Sequence, residues 1–110
     1  MKWYRRHAQT HFSERVGHFC TRLEIPTARV FLSSATTQWG SCTASGEIRL
    51  SWRLMQAHAS VIDYVVAHEV AHLRVLSHST RFWRLVQRLY PEYVSAKAEL
   101  SAMSQHYMTL

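Results

Sequence analysis

Residues 68 to 72 read His-Glu-Val-Ala-His, and a further histidine, His78, comes six residues later. On an α-helix, residues four apart are turned by only about 40° and separated by about 6 Å along the axis. His68 and His72 would therefore point to one side and could pinch a single ion. Glu69 is turned by about 100° from His68 and would border that face without having to ligate. That is the chemistry of H-E-x-x-H: two imidazoles hold zinc, and the carboxylate polarises the water on it. The pattern sits in a run with Val61, Ile62, Val65, Val66, Val70 and Leu73, which predicts a buried helix. Two unpaired imidazoles and a carboxylate would be costly there, and metal ligation removes that cost.

A catalytic zinc takes three protein ligands and keeps a fourth position for water. His78 lies ten residues after His68, the spacing of the metzincin pattern H-E-x-x-H-x-x-G-x-x-H. Val75 stands where that pattern needs a glycine for its sharp turn, and little chain remains for a downstream methionine turn, so a metzincin is not expected. Nor can His78 ligate from a straight helix, because its Cα would lie about 9 Å beyond that of His72. The helix must break after about Leu76, and Ser77 and Ser79 favour this by competing for backbone hydrogen bonds and capping the next helix. His78 is the favoured third ligand, with Glu92 and Glu99 as rivals from later helices. Cys42 is disfavoured, because three better ligands exist. His7, His11, His18, His58 and His106 show no ligand spacing with one another.

The surrounding elements must position this constellation. An amphipathic basic helix is expected over about 3–24, with Phe12, Val16, Phe19, Cys20 and Leu23 on its apolar side and Lys2, Arg5, Arg6, Arg15 and Arg22 elsewhere. Pro26 closes it. Alternation at Val30/Leu32 and Ile48/Leu50/Trp52 predicts two or three antiparallel strands, at about 28–33, 37–43 and 47–52, with Ala44-Ser45-Gly46 as a hairpin turn. The active-site helix comes next at about 58–76, then a shorter helix at 80–89, and a last one at 91–106 with Pro91 in its first position. The fold class is α+β, with 1–110 as one domain.

With 47% hydrophobic residues, 110 residues bury a real core without disulfides. No apolar run is long enough for a transmembrane helix, and the basic start lacks the apolar stretch and cleavage site of a secretory signal. Cys20 and Cys42 form no framework and read as reduced thiols, so a cytoplasmic monomer is expected. A net charge of +6 favours polyanions such as DNA, although the basic helix face reads first as solvated.

Trp39, Gly40, Ser41 and Cys42 could form a strand edge that lines the cleft and pairs with an extended peptide, with core packing an equal alternative for Trp39 and Cys42. Phe82, Trp83 and Trp52 read as core. Asp63 and Tyr64, a turn before His68, could support the ligands, although a cap or surface role is favoured for Asp63. Arg81 or Tyr90 could steady a tetrahedral oxyanion.

Taken in order, "TTQWGSCTASGEIRLSWRL", "VIDYVVAHEVAHL", "SHSTRFW" and a trailing "YPEY" resemble the YgjP-like metallopeptidase family, relatives of the SprT-like zinc proteases. The resemblance spans about residues 36 to 94. It implies a small zincin with a sheet beside the active-site helix, with His68, His72 and His78 as Zn2+ ligands and Glu69 as catalytic base. Members often carry a longer N-terminal portion, so the chain reads as a minimal version or a fragment. The function expected is zinc-dependent hydrolysis of peptide bonds in a peptide or protein substrate. The alternatives are a basic nucleic-acid-binding module with a structural zinc and, by resemblance to the SprT-like relatives, a protease acting on DNA-associated proteins.

Overall fold

A computed structural model describes residues 2–35 and 38–104. Its elements run α1 (Lys2–Arg22), β1 (Val30–Ser33), β2 (Gly40–Cys42), β3 (Ile48–Ser51), a 3₁₀ turn (Trp52–Gln56), α2 (Ala59–His72), α3 (Thr80–Leu89) and α4 (Tyr93–Ser104). The α+β class and the order of helices agree with the sequence reading; the expected beginning of the second strand and the stretch beyond residue 104, His106 included, fall outside the described residues.

Ala8, Phe12, Val16, Phe19, Cys20 and Leu23 recur at helical spacing and are buried, forming the stripe by which α1 meets α2 and β1. Its end is a Schellman turn: Ile25 N–H donates to the Cys20 carbonyl and Glu24 N–H to that of Thr21, with Glu24 left-handed at φ 58°. Pro26 stands two residues further on. Three of the helix's arginines are engaged. Arg15 makes a two-pronged contact with Asp63 on α2 at 2.8 and 3.2 Å. Arg22 donates to the carbonyls of Leu89 and Arg88, and Arg5 donates to Ser34 Oγ. The expected solvated basic face is thus in part a set of ties, and Asp63 holds α1 through Arg15 rather than capping a helix or supporting a ligand histidine.

The sheet differs from the expected antiparallel arrangement. Its order is β1-β3-β2; β2 and β3 pair antiparallel as a hairpin, but β1 runs parallel to β3, with Val30 opposite Ile48 and Ser33 opposite Ser51. Strands in a sheet lie about 4.8 Å apart, and the six residues between β1 and β2 are enough to cross over the end of an intervening strand. The central position therefore falls to β3, whose Ile48, Leu50 and Ser51 are buried. The hairpin turn is the predicted one: Thr43 N–H donates to the Glu47 carbonyl, and Gly46 takes φ 88°.

Helix α2 is central, packed against α1, α3, α4 and β2. Nine of its residues are buried, from Val61 to Ala71, and they occur around most of its circumference. It ends at His72, earlier than the expected break near Leu76. Leu73 and Arg74 bond back three residues, to Val70 and Ala71, which tightens the last turn. Ser79 caps α3 by accepting from Phe82 N–H. Pro91 lies just ahead of α4 rather than in its first turn, because the chain turns through Tyr90–Tyr93 before the helix starts.

Candidate metal centre

The early end of α2 decides where His78 goes. The chain turns back through residues 73–77, and the histidine returns onto the face that carries His68 and His72. One ring nitrogen from each of the three can be chosen so that all lie within 4.8 Å of one another. Nε2 of His72 and Nε2 of His78 are 3.1 Å apart. Two nitrogens about 2.05 Å from a tetrahedral zinc would be about 3.3 Å apart, so the pair already has the spacing of co-ligands. The other ring nitrogens are occupied. His72 Nδ1 lies 3.1 Å from the Val75 carbonyl, and His68 Nδ1 lies 3.2 Å from Glu69 Oε2. A proton on Nδ1 in each ring satisfies both contacts and leaves Nε2 as the ligating atom. Three neutral imidazoles so arranged are a donor set that fits a divalent metal such as zinc. Glu92 and Glu99 stand outside the group, and Glu99 lies 3.3 Å from His58 Nδ1.

Phe82, fully buried, forms the floor beneath the histidines. Its ring stacks on His72 at 4.4 Å and meets His68 and His78 at 5.0 and 5.1 Å. Trp83 stacks on His78 at 6.0 Å and on Tyr93 at 5.7 Å, and Lys97 Nζ lies 4.1 Å from the Trp83 ring centroid. Phe82 is core, as expected, whereas Trp83 is only partly buried and lines the cleft; both support the site. Burial lowers the pKa of His78; the neighbouring His68 and His72 act the same way, as does Lys97 more weakly, while Glu69 opposes them. A lowered value keeps His78 neutral and able to ligate.

Beside the histidines lies a cleft of about 480 Å³. Trp39, Gly40, Ser41 and Cys42 form one wall, and Tyr64, Leu76, Trp83 and Lys97 contribute to the rest. Trp39 is buried, as core packing expects, with its Nε1 donating to Ser104 Oγ at 2.8 Å, and it also lines the cleft. Glu69 is only 5% exposed yet reaches the cleft. A Cβ built on Gly40 would stand 3.2 Å from its Cγ, so the wall leaves no room for a side chain between it and the Glu69 stem. The Cys42 thiol is pushed up to about 11, first by burial and then by the Glu69 carboxylate, and stays protonated at neutral pH. The same two causes, in that order, raise the Tyr64 hydroxyl.

Arg81 and Tyr90, the two expected oxyanion donors, do not line this cleft. Arg81 opens onto a separate groove shared with Arg74, Arg84 and Arg88. Lys97 had no local signal in the sequence; it reaches the cleft because Tyr93, one turn earlier on α4, stacks on both Trp83 and Tyr64.

The fold is shared with two solved structures. The metallopeptidase zymogen of Pyrococcus abyssi abylysin superposes with a TM-score of 0.77 at 20% identity, covering 89% of this chain and 99% of the other. The zymogen of Methanocaldococcus jannaschii jannalysin gives 0.70 at 14%, covering 86% and 95%. No curated protein sequence matches the chain. Fold and histidine triad together define a metallopeptidase domain. More narrowly, the family model described as the YgjP-like metallopeptidase domain matches residues 1–103, and the chain belongs to that family.

Proposed function

We propose that residues 1–110 form one zinc-dependent peptidase unit in which His68, His72 and His78 hold Zn2+ and Glu69 is the general base. The observation that carries this reading is the convergence of three imidazole nitrogens beside a buried carboxylate at the floor of a cleft. Zinc in such a site supplies a Lewis acid and an acidified water. Glu69 takes the proton from the attacking water and passes it to the leaving amine. Trp39, Gly40 and Ser41 bind the substrate along the edge of β2. The Trp39 carbonyl accepts from Ser51 N–H of β3 and Thr43 N–H donates to the Glu47 carbonyl just ahead of that strand. The strand period therefore turns the N–H and C=O groups of Gly40 and Cys42 to the free edge, where an extended peptide can pair with them. Two free cysteines support a cytoplasmic setting, and among the described residues no helix is long and apolar enough to cross a membrane. A monomer is the accompanying expectation, checked by sedimentation.

The test compares metal content and peptide hydrolysis in wild type, Glu69→Gln and His78→Ala. Glu69→Gln should keep zinc and lose activity by about 10²–10⁴-fold, and His78→Ala should lose zinc. Full activity in Glu69→Gln overturns the mechanism, and unchanged zinc affinity in His78→Ala overturns the ligand set.

A second reading concerns a polyanion such as DNA, and one observation favours it. Arg74, Arg81, Arg84 and Arg88 line a single groove, and none has a carboxylate partner among the described residues. The last three share a face of α3 at helical spacing. An array of guanidinium groups suits phosphates. The structural-zinc alternative is less favoured, because no fourth His, Cys, Asp or Glu joins the triad among the described residues. Salt-dependent DNA binding whose log–log slope falls in an Arg84→Glu/Arg88→Glu double variant would support the contact; binding unchanged by that variant would refute it.

A further inference from the structure

Of the described residues lining the cleft, Lys97 is the sole lysine or arginine, and the hydrolytic chemistry does not use it. Its ammonium lies 4.1 Å from the Trp83 ring centroid, and that ring stacks on the ligand His78. The ion pairs among the described residues are Arg15 with Asp63, His58 with Glu99 and His68 with Glu69, so none of them includes Lys97. A cation is therefore held one aromatic ring away from the metal ligands with no ion-pair partner among the described residues. The cleft also presents apolar surface from Tyr64, Trp83 and Leu76, and Leu76 is 74% exposed. A substrate entering along β2 would displace water from this surface and strengthen any charge contact made there.

We infer that Lys97 determines specificity by receiving a carboxylate of the peptide substrate, carried either by an acidic side chain or by the substrate's own C-terminus. The inference rests on the peptidase reading of the cleft. Lys97 Nζ lies 4.1 Å from the Trp83 centroid, which is 6.0 Å from that of His78. The ammonium is thus at most about 10 Å from the His78 ring, the reach of about three residues of extended chain. The recognised carboxylate therefore belongs within about three residues of the bond that is cut. The competing structural role is simpler: the lysine stem covers Trp83 and its charge stays in water. Lys97→Met keeps that cover and removes the charge, whereas Lys97→Glu reverses the charge.

The experiment uses fluorogenic peptides in which each position near the scissile bond carries Glu, Gln or Lys in turn, each made with a free or an amidated C-terminus. Activity is read as the ratio between paired peptides within one variant, so a general loss cancels. Wild type should favour one carboxylate peptide by about threefold to tenfold, mainly through KM, as expected of a partly desolvated ion pair. The Glu/Gln pairs and the acid/amide pairs report the two sources separately. Lys97→Met should bring the ratio near one, and Lys97→Glu should invert it in favour of Lys. The same pairs are then measured for equilibrium binding to zinc-loaded Glu69→Gln protein, with and without the Lys97 changes. A ratio that survives Lys97→Met, or no carboxylate preference in either assay, overturns the assignment. Selective binding abolished by Lys97→Glu, in a protein that cuts no peptide, upholds the carboxylate site and overturns the peptidase reading.

Discussion

Gly40 and Glu69 are in contact across the sheet–helix boundary: a methyl group on Gly40 would stand 3.2 Å from Glu69 Cγ, 3.0 Å from Leu50 Cδ2 and 3.3 Å from the Arg49 carbonyl. Leu50 and Arg49 belong to the central strand, so the added carbon could be accommodated only by moving β2 or the carboxylate. Gly40→Ala should cost about 1–3 kcal/mol of stability, as overpacking does. It should also lower kcat by about tenfold to a hundredfold through misplacement of the base, with zinc content unchanged. Denaturant titration, metal analysis and kinetics on one preparation check all three.

Phe82 is the common floor of the histidines, in ring contact with each. Phe82→Leu should weaken zinc binding by about tenfold or more, because second-layer support of ligands is worth that much. Phe82→Ala should cost about 3–5 kcal/mol and leave little folded protein. Competition with a chelator, run beside thermal unfolding, separates the two effects.

Ser79 fixes the start of α3 one residue after His78, by accepting from Phe82 N–H. Ser79→Ala should cost about 1 kcal/mol and loosen the turn that brings His78 back. Metal affinity should fall further than in Ser77→Ala, since Ser77 makes no such cap. Isothermal titration with zinc is the measurement; equal affinities in the two variants would count against a positioning role for the cap.

The Cys42 thiol, with a pKa of about 11, should resist alkylation at pH 8. The thiolate is the reactive form, so the rate should be about a hundredfold below that of an unperturbed cysteine and should rise as pH approaches 11. Glu69 is the second cause of the shift, so Glu69→Gln should lower the pKa and speed the reaction. Intact-mass kinetics across pH, with peptide mapping to separate Cys42 from buried Cys20, reads this directly.

The ligand pair was legible because a single helical turn defines it, and His78 because nearby serines signalled a break. Where the break falls was not legible: Leu73, Arg74 and Leu76 are good helix formers, and the chain leaves α2 early where the Val75 carbonyl meets His72 Nδ1. Alternation identified the strands but not their neighbours, since β1 reaches β3 through a crossover that leaves no local mark. The roles of Arg15 and Asp63 were hidden for a similar reason, because each partner lies 48 residues from the other. Arg81 was the right type of residue for an oxyanion donor but lies on a different face of α3 from the cleft.

All three histidines of the centre come from eleven consecutive residues, 68–78. The metal is thus clasped by a short chelate ring of polypeptide whose closure carries little entropic cost. The residues that wall the cleft around this clasp are distant in sequence, from Gly40 beside Glu69 to Trp39 anchored at Ser104. Metal uptake can therefore report a correctly formed α2–α3 junction, and a metal-loaded chain is not by itself an active one.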